Sequence, residues 1–204
     1  KTTAAKLISK KYNLKLLSSG LLYRYIAYKL LSKKELKNKI PYVKKVSKSI
    51  TLNKLKIKKL FDQEVTQYTS QIAKSKKIRI ILKKFQKNFA SQSRVCIEGR
   101  DIGSVICPKA DIKLFFKCDL KLKAKRRWND YKKNNPKITL AEVKKALKIR
   151  DYFDINRKHS PLRAVKDSIV IDTSKLNKKQ MIRKISIIIE KKLFLKYGRN
   201  IKKR

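Results

Sequence analysis

The sequence predicts an α/β fold: a parallel sheet of short strands, covered by helices on both faces. Three observations carry this. Short apolar runs alternate with longer stretches of helical spacing, the pattern of parallel strands joined by helical crossovers. The chain has 204 residues, enough to bury the core of one such domain. Polar turns (SSG, EGRD and DTS) follow three of the apolar runs, where open parallel sheets bind ligands.

Taken in order, residues 2–12 carry Ala5, Leu7, Ile8 and Tyr12 on an approximate helical stripe, and LKLLSSG (14–20) is a strand running into a turn. LLYRYIAYKLLSKKEL then returns to helical spacing. Residues 37–62 are lysine-rich with one proline and predict an insertion of short elements. From Asp62 to about Phe89 the spacing predicts two helices broken near Lys74–Lys77. RVCIE (94–98) and DIKLFF (111–116) are strands. DLKLKAKRRWNDYKKN and TLAEVKKALKIRDYFDIN are helices around the loop NNPKI, and Leu140, Val143, Leu147 and Ile149–Arg150 mark the second one's apolar side. SIVIDTS is the last strand. Thr173 or Ser174 is expected to cap the closing helix, whose face is Met181, Ile182, Ile185, Ile188 and Ile189. KYGRNIKKR reads as a frayed basic tail.

The formal charge is +44, from 58 Lys+Arg against 14 Asp+Glu. Such a surface attracts phosphate backbones non-specifically, and a basic RNA-binding protein is one reading. The cations are mostly lysine, with 12 arginines, and are spread through nearly every segment, which argues against a dedicated RNA-reading patch. Cys96, Cys107 and Cys118 stand eleven apart and fit no metal template. No signal peptide or membrane-length apolar stretch is visible, so a cytoplasmic protein is expected. His159, the single histidine, lies between a basic residue and a proline turn and reads as a solvated loop residue. Trp128 and Tyr131 could stack on a base, although packing serves equally.

Glu98, Arg100 and Asp101 cluster around Gly99 at the end of an apolar strand. This is either a surface turn or a ligand site. Lys1-Thr2 opens a helix, as do the last residues of a phosphate-binding loop, G-x-x-x-x-G-K-[ST]. In that reading Lys1 meets the β- and γ-phosphates and Thr2 ligates magnesium. Arg24, Arg100, Arg150 and Arg157 stand at helix starts, strand ends or beside aspartates, where rigid guanidinium forks hold phosphate.

SSGLLYR, EGRDIGSVICPKADIKLFF, RDYFDINR and IVIDTS, in this order within a similarity that runs from Lys1 to about Leu193, together resemble the cytidylate kinases, nucleoside monophosphate kinases of the P-loop class. The resemblance is weakest in 33–62, where the family's insertion looks shortened. It implies a P-loop kinase fold with a core at 1–32, 91–124 and 151–195, a monophosphate-binding insertion at 33–90, a lid at 125–150 and a basic tail at 196–204. It implies transfer of a phosphoryl group from Mg-ATP to CMP or dCMP by a monomer. Another monophosphate acceptor on the same fold is the nearer alternative.

By that resemblance Ser19, Ser70, Arg79 and Asp101 hold the cytosine base. Arg24, Arg100 and Arg157 hold the acceptor phosphate, and Arg150 and Asp154 the sugar. Lys1, Arg100 and Arg157 are the catalytic cations. Lys1, Thr2, Arg126 and Arg127 face ATP, with Thr2 on Mg2+. Two positions depart from the family pattern: Phe153 replaces a lid arginine, and Ser18 replaces an aspartate common before the Ser-Gly turn. The Gly-rich loop and its leading strand fall upstream of Lys1. A polypeptide lacking them is expected to be poorly stable and nearly inactive.

Overall fold

The computed structural model describes residues 1–33, 36, 38–132, 135–158 and 160–198, and the side chain of residue 63 is left aside. His159 and the tail from residue 199 lie outside the described residues. The chain forms two compact units. One comprises Thr2–Ile102, the other Lys1 with the described residues from Gly103 to Gly198.

In the first unit, α1 (Thr2–Lys11) leads to β1 (Lys15–Ser18), which passes directly into α2 (Ser19–Leu31). Then come α3 (Lys39–Lys48), two 3₁₀ turns (Lys54–Lys56 and Lys58–Phe61), α4 (Gln63–Ile72), α5 (Lys76–Ala90) and β2 (Val95–Glu98). β1 and β2 pair in parallel, Leu17 opposite Ile97 and Ser18 opposite Glu98. Leu22, Tyr25, Ile26, Ala27 and Leu30 of α2 are all buried. A helix so enclosed is the centre of its unit, and Val43, Leu60, Val65, Ile72, Ile78, Leu82 and Phe89 close around it. The segment from α3 to α5 is helical because its apolar residues return every three or four positions, and Ser75 starts α5 by accepting from the Ile78 N–H.

In the second unit a π-helical turn (Ile102–Ile106) precedes β3 (Leu114–Lys117), α6 (Leu120–Lys132), α7 (Leu140–Asn156), β4 (Ile169–Asp172) and α8 (Lys178–Tyr197). β3 and β4 pair in parallel, Phe116 opposite Ile171. Where one sheet is expected from the sequence, hydrogen bonding among the described residues gives two parallel pairs of four-residue strands. Each strand ends at a polar turn or a helix start, which limits it to four rungs. α6 packs on α7, with Trp128 Nε1 donating to the Ile138 carbonyl at 2.8 Å, so Trp128 closes this helix pair. Thr139 and Glu142 form a capping box that starts α7.

Three expectations need correction. Neither Thr173 nor Ser174 caps α8. Thr173 donates to the Lys117 carbonyl and Ser174 accepts from the Asp119 N–H, tying β4 to β3 and α6. Asn177 makes the capping box instead, with Gln180. Of the apolar side expected for α7, only Val143 is buried; Leu140 and Ile149 are exposed, since the helix packs mainly against α6. Finally, α8 continues into the supposed tail as far as Tyr197 and stops at Gly198, whose φ of +64° suits glycine. Among the described residues no helix is long and apolar enough to cross a membrane.

Candidate active site

In the first unit, β1 and β2 deliver their carboxyl ends side by side, and the residues that follow collect there. Asp101, 8% exposed, accepts from Arg79 Nη2 at 2.6 Å. The guanidinium of α5 answers the charge of this enclosed carboxylate. Arg79 also lies over the Tyr23 ring, 5.9 Å from its centroid. Ser19 opens α2 and is buried. Its Oγ accepts from Gln86 Nε2 at 2.7 Å. Gly99 permits this close approach: a Cβ there would lie 2.7 Å from Ile102 Cδ1 and 3.1 Å from Ser19 Oγ.

Arg24 is buried on α2 and donates through Nη1 to the Leu60 carbonyl and to Thr66 Oγ1, both at 2.7 Å. Its guanidinium lies over Phe61 at 5.4 Å. The second 3₁₀ turn and α4 therefore hold one edge of Arg24. Arg100 is half-buried in the turn after β2. Ser70 is exposed on α4 and makes no hydrogen bond with the Arg79–Asp101 pair among the described residues. The structure thus brings Ser19, Arg79 and Asp101 to one strand end and leaves Ser70 at the surface of its helix.

Thr2, in the first turn of α1, donates to Glu98 Oε1 at 3.2 Å, and the Ser18 hydroxyl donates to the same oxygen. Two hydroxyls and a carboxylate at a helix N-terminus are hard oxygen donors of the kind magnesium takes, so the residues present fit that ion. Ser18 is neutral, and Glu98 supplies the negative charge here. Next to it, burial pushes the Cys96 thiol up, and Glu98 raises it further, both disfavouring the reactive thiolate. Free thiols are also found at Cys107 and Cys118.

In the second unit, Arg150, Asp154 and Arg157 lie on one face at the end of α7. Asp154 receives Arg150 Nε at 3.9 Å and Arg157 Nη1 at 3.5 Å. Arg157 Nε also donates to the Ser160 carbonyl at 2.5 Å, which fixes its orientation. Arg126 donates to the carbonyls of Thr173 and Leu176, at 3.1 and 3.3 Å, and so braces α6 on the turn after β4. Arg127 lies over Tyr131 at 4.6 Å. Lys1 is exposed. Phe153 is exposed and meets Tyr152 edge-to-face, with ring centroids 5.9 Å apart.

Sequence reasoning passed over Gln86, Glu98 as a hydroxyl acceptor, and Thr66. Only Gln86 left a trace: it stands in the apolar stripe Ile78–Leu82–Gln86–Phe89 of α5, where a polar residue is out of place. Thr66 and Glu98 needed the fold to name their partners.

A family model for cytidylate kinase matches residues 1–191. The cytidylate kinase of Fusobacterium nucleatum is 34% identical over 201 residues, covering 94% of this chain and 92% of that protein. That of Clostridium tetani is 32% identical over 209 residues, covering 98% and 92%. That of Bartonella tribocorum is 36% identical over 182 residues, covering 87% and 83%. With the family's motifs in order along the chain and its arginines and aspartates paired as described, the chain belongs to the cytidylate kinase family.

Proposed function

We propose that the protein transfers the γ-phosphoryl group of Mg-ATP to CMP or dCMP, giving ADP and CDP or dCDP. The observation that carries this reading is the enclosed Arg79–Asp101 pair beside Ser19, in a chain of this family. Cytosine presents a donor at N4 and acceptors at N3 and O2, and a carboxylate with a guanidinium and a hydroxyl answers all three. Uracil carries an acceptor at position 4, which Asp101 would repel. Ser70 would join the base contacts from α4. Arg24, Arg100 and Arg157 would hold the acceptor phosphate, and Arg150 and Asp154 the sugar hydroxyls. Lys1 would meet the β- and γ-phosphates, and Arg126 and Arg127 would face ATP.

Phosphoryl transfer asks for positioning and charge neutralisation more than for a covalent intermediate, and an arginine-rich site suits it. Bound magnesium would neutralise the β- and γ-phosphate oxygens. Thr2 would hold it directly, while Glu98 and Ser18 orient the Thr2 hydroxyl. The helices of 125–150 would act as the lid that excludes water. We infer further that the protein works as a cytoplasmic monomer and touches RNA only non-specifically, through its diffuse charge.

The test is ADP formation from Mg-ATP with CMP, dCMP, UMP, AMP and GMP in turn. CMP or dCMP far ahead of the others is expected. Turnover led by another monophosphate would reassign the base site, and no turnover by folded protein would sink the kinase reading.

A further inference from the structure

Gln86 is 3% exposed and occupies a core position of α5 between Leu82 and Phe89. An amide in such a place is costly unless it is hydrogen-bonded. Its Nε2 donates to the Oγ of Ser19, itself 5% exposed, at 2.7 Å. Gln86 also stands two helical turns after Arg79, so both side chains leave the same face of α5. One helix face therefore supplies the partner of Asp101 and the partner of Ser19.

A serine hydroxyl has one proton and two acceptor lone pairs, and its rotor settles on whichever role its neighbours leave it. By donating to Ser19, Gln86 takes up acceptor capacity and leaves the proton to point elsewhere. We propose that Gln86 is a positioning residue for base choice. It sets the Ser19 hydroxyl as a donor, suited to the N3 acceptor of cytosine and ill suited to the N3–H of uracil, since O2 accepts in both bases. The inference rests on the reading of Ser19 as a base contact given above. Selection of this kind is strong because the wrong base leaves buried polar groups unpaired.

The experiment compares wild type, Gln86→Met, Ser19→Ala and the double variant of the full-length protein. kcat/KM for CMP and for UMP is read with the thermal midpoint. Wild type is assayed first: turnover of no monophosphate overturns the kinase reading itself. With an active wild type, Gln86→Met is expected to lower the CMP-to-UMP ratio roughly three- to tenfold. The loss should fall mainly on KM for CMP, and adding Gln86→Met to Ser19→Ala should change the ratio no further. A ratio unmoved by Gln86→Met, or equal losses with and without the Ser19 hydroxyl, overturns the proposal, because a purely structural role lowers both substrates alike. Should Gln86→Met fail to fold, Gln86→Glu keeps the volume. Its carboxylate accepts the Ser19 proton, so the same fall is expected, and an unchanged ratio is the contrary result.

Discussion

Asp101 spends its carboxylate on Arg79 inside the protein, where the exposure of the two side chains is only 11% and 13%. Removing the charge by Asp101→Asn leaves a buried guanidinium poorly answered and is expected to cost about 3 kcal/mol of stability. The same variant should relax the preference for CMP over UMP, since an amide can face either base. Chemical denaturation and the ratio of kcat/KM values check the two effects separately, and unchanged discrimination would count against Asp101 as the base reader. Arg24 illustrates the other use of a buried cation. Thr66→Val removes one of the two acceptors of its Nη1 and is expected to cost about 1 kcal/mol, with KM for CMP rising more than kcat falls. A rise in KM reversed by Thr66→Ser would tie the effect to the hydroxyl.

The helices carry their own signals and their own tests. α8 starts at the Asn177–Gln180 capping box, so Asn177→Ala should lower stability by about 1 kcal/mol, read as a fall in the thermal midpoint. Thr173→Ala acts on the link between β4 and Lys117 instead, and should leave the start of α8 intact by hydrogen exchange. At its far end α8 is tied to the loop before β3: Asp111 accepts from the Tyr197 hydroxyl at 2.7 Å and pairs with Lys196. The Lys196 hydrogen bond, then that of Tyr197, holds the Asp111 carboxyl below its ordinary 3.8. A depressed carboxylate stabilises the fold above its unfolded value, and that contribution is lost as pH falls through the folded value. Asp111→Asn should therefore destabilise the protein at neutral pH and flatten its stability curve below about pH 4. Equal acid sensitivity in wild type and variant would show that the tie contributes nothing.

For the whole molecule, a charge of +44 gives any polyanion a purchase on the surface. Binding to an arbitrary RNA is expected to weaken steeply and linearly on a log–log plot against salt, and to ignore Asp101→Asn. A salt-insensitive RNA affinity, or one lost with Asp101, would point to a reading surface that lysine spread through nearly every segment does not predict.

Much was legible in the chain itself. Hydrophobic periodicity sufficed for the alternation of strands and helices, the helical nature of 62–89 and the buried face of α8 at Met181, Ile185 and Ile189, because burial of a stripe is a local, repeating demand. The motifs EGRDIG and SSGLLYR marked the strand ends and the family, because backbone turns and charged residues there are fixed in spacing. Tertiary structure decided which polar group meets which. That Thr173 turns to the Lys117 carbonyl instead of capping α8, that Gln86 reaches Ser19 across 67 positions and that Thr66 receives Arg24 across 42 all depend on contacts between distant segments. A hydrogen bond acts over about 3 Å, and sequence spacing carries no information at that range until the core has set the helices in place.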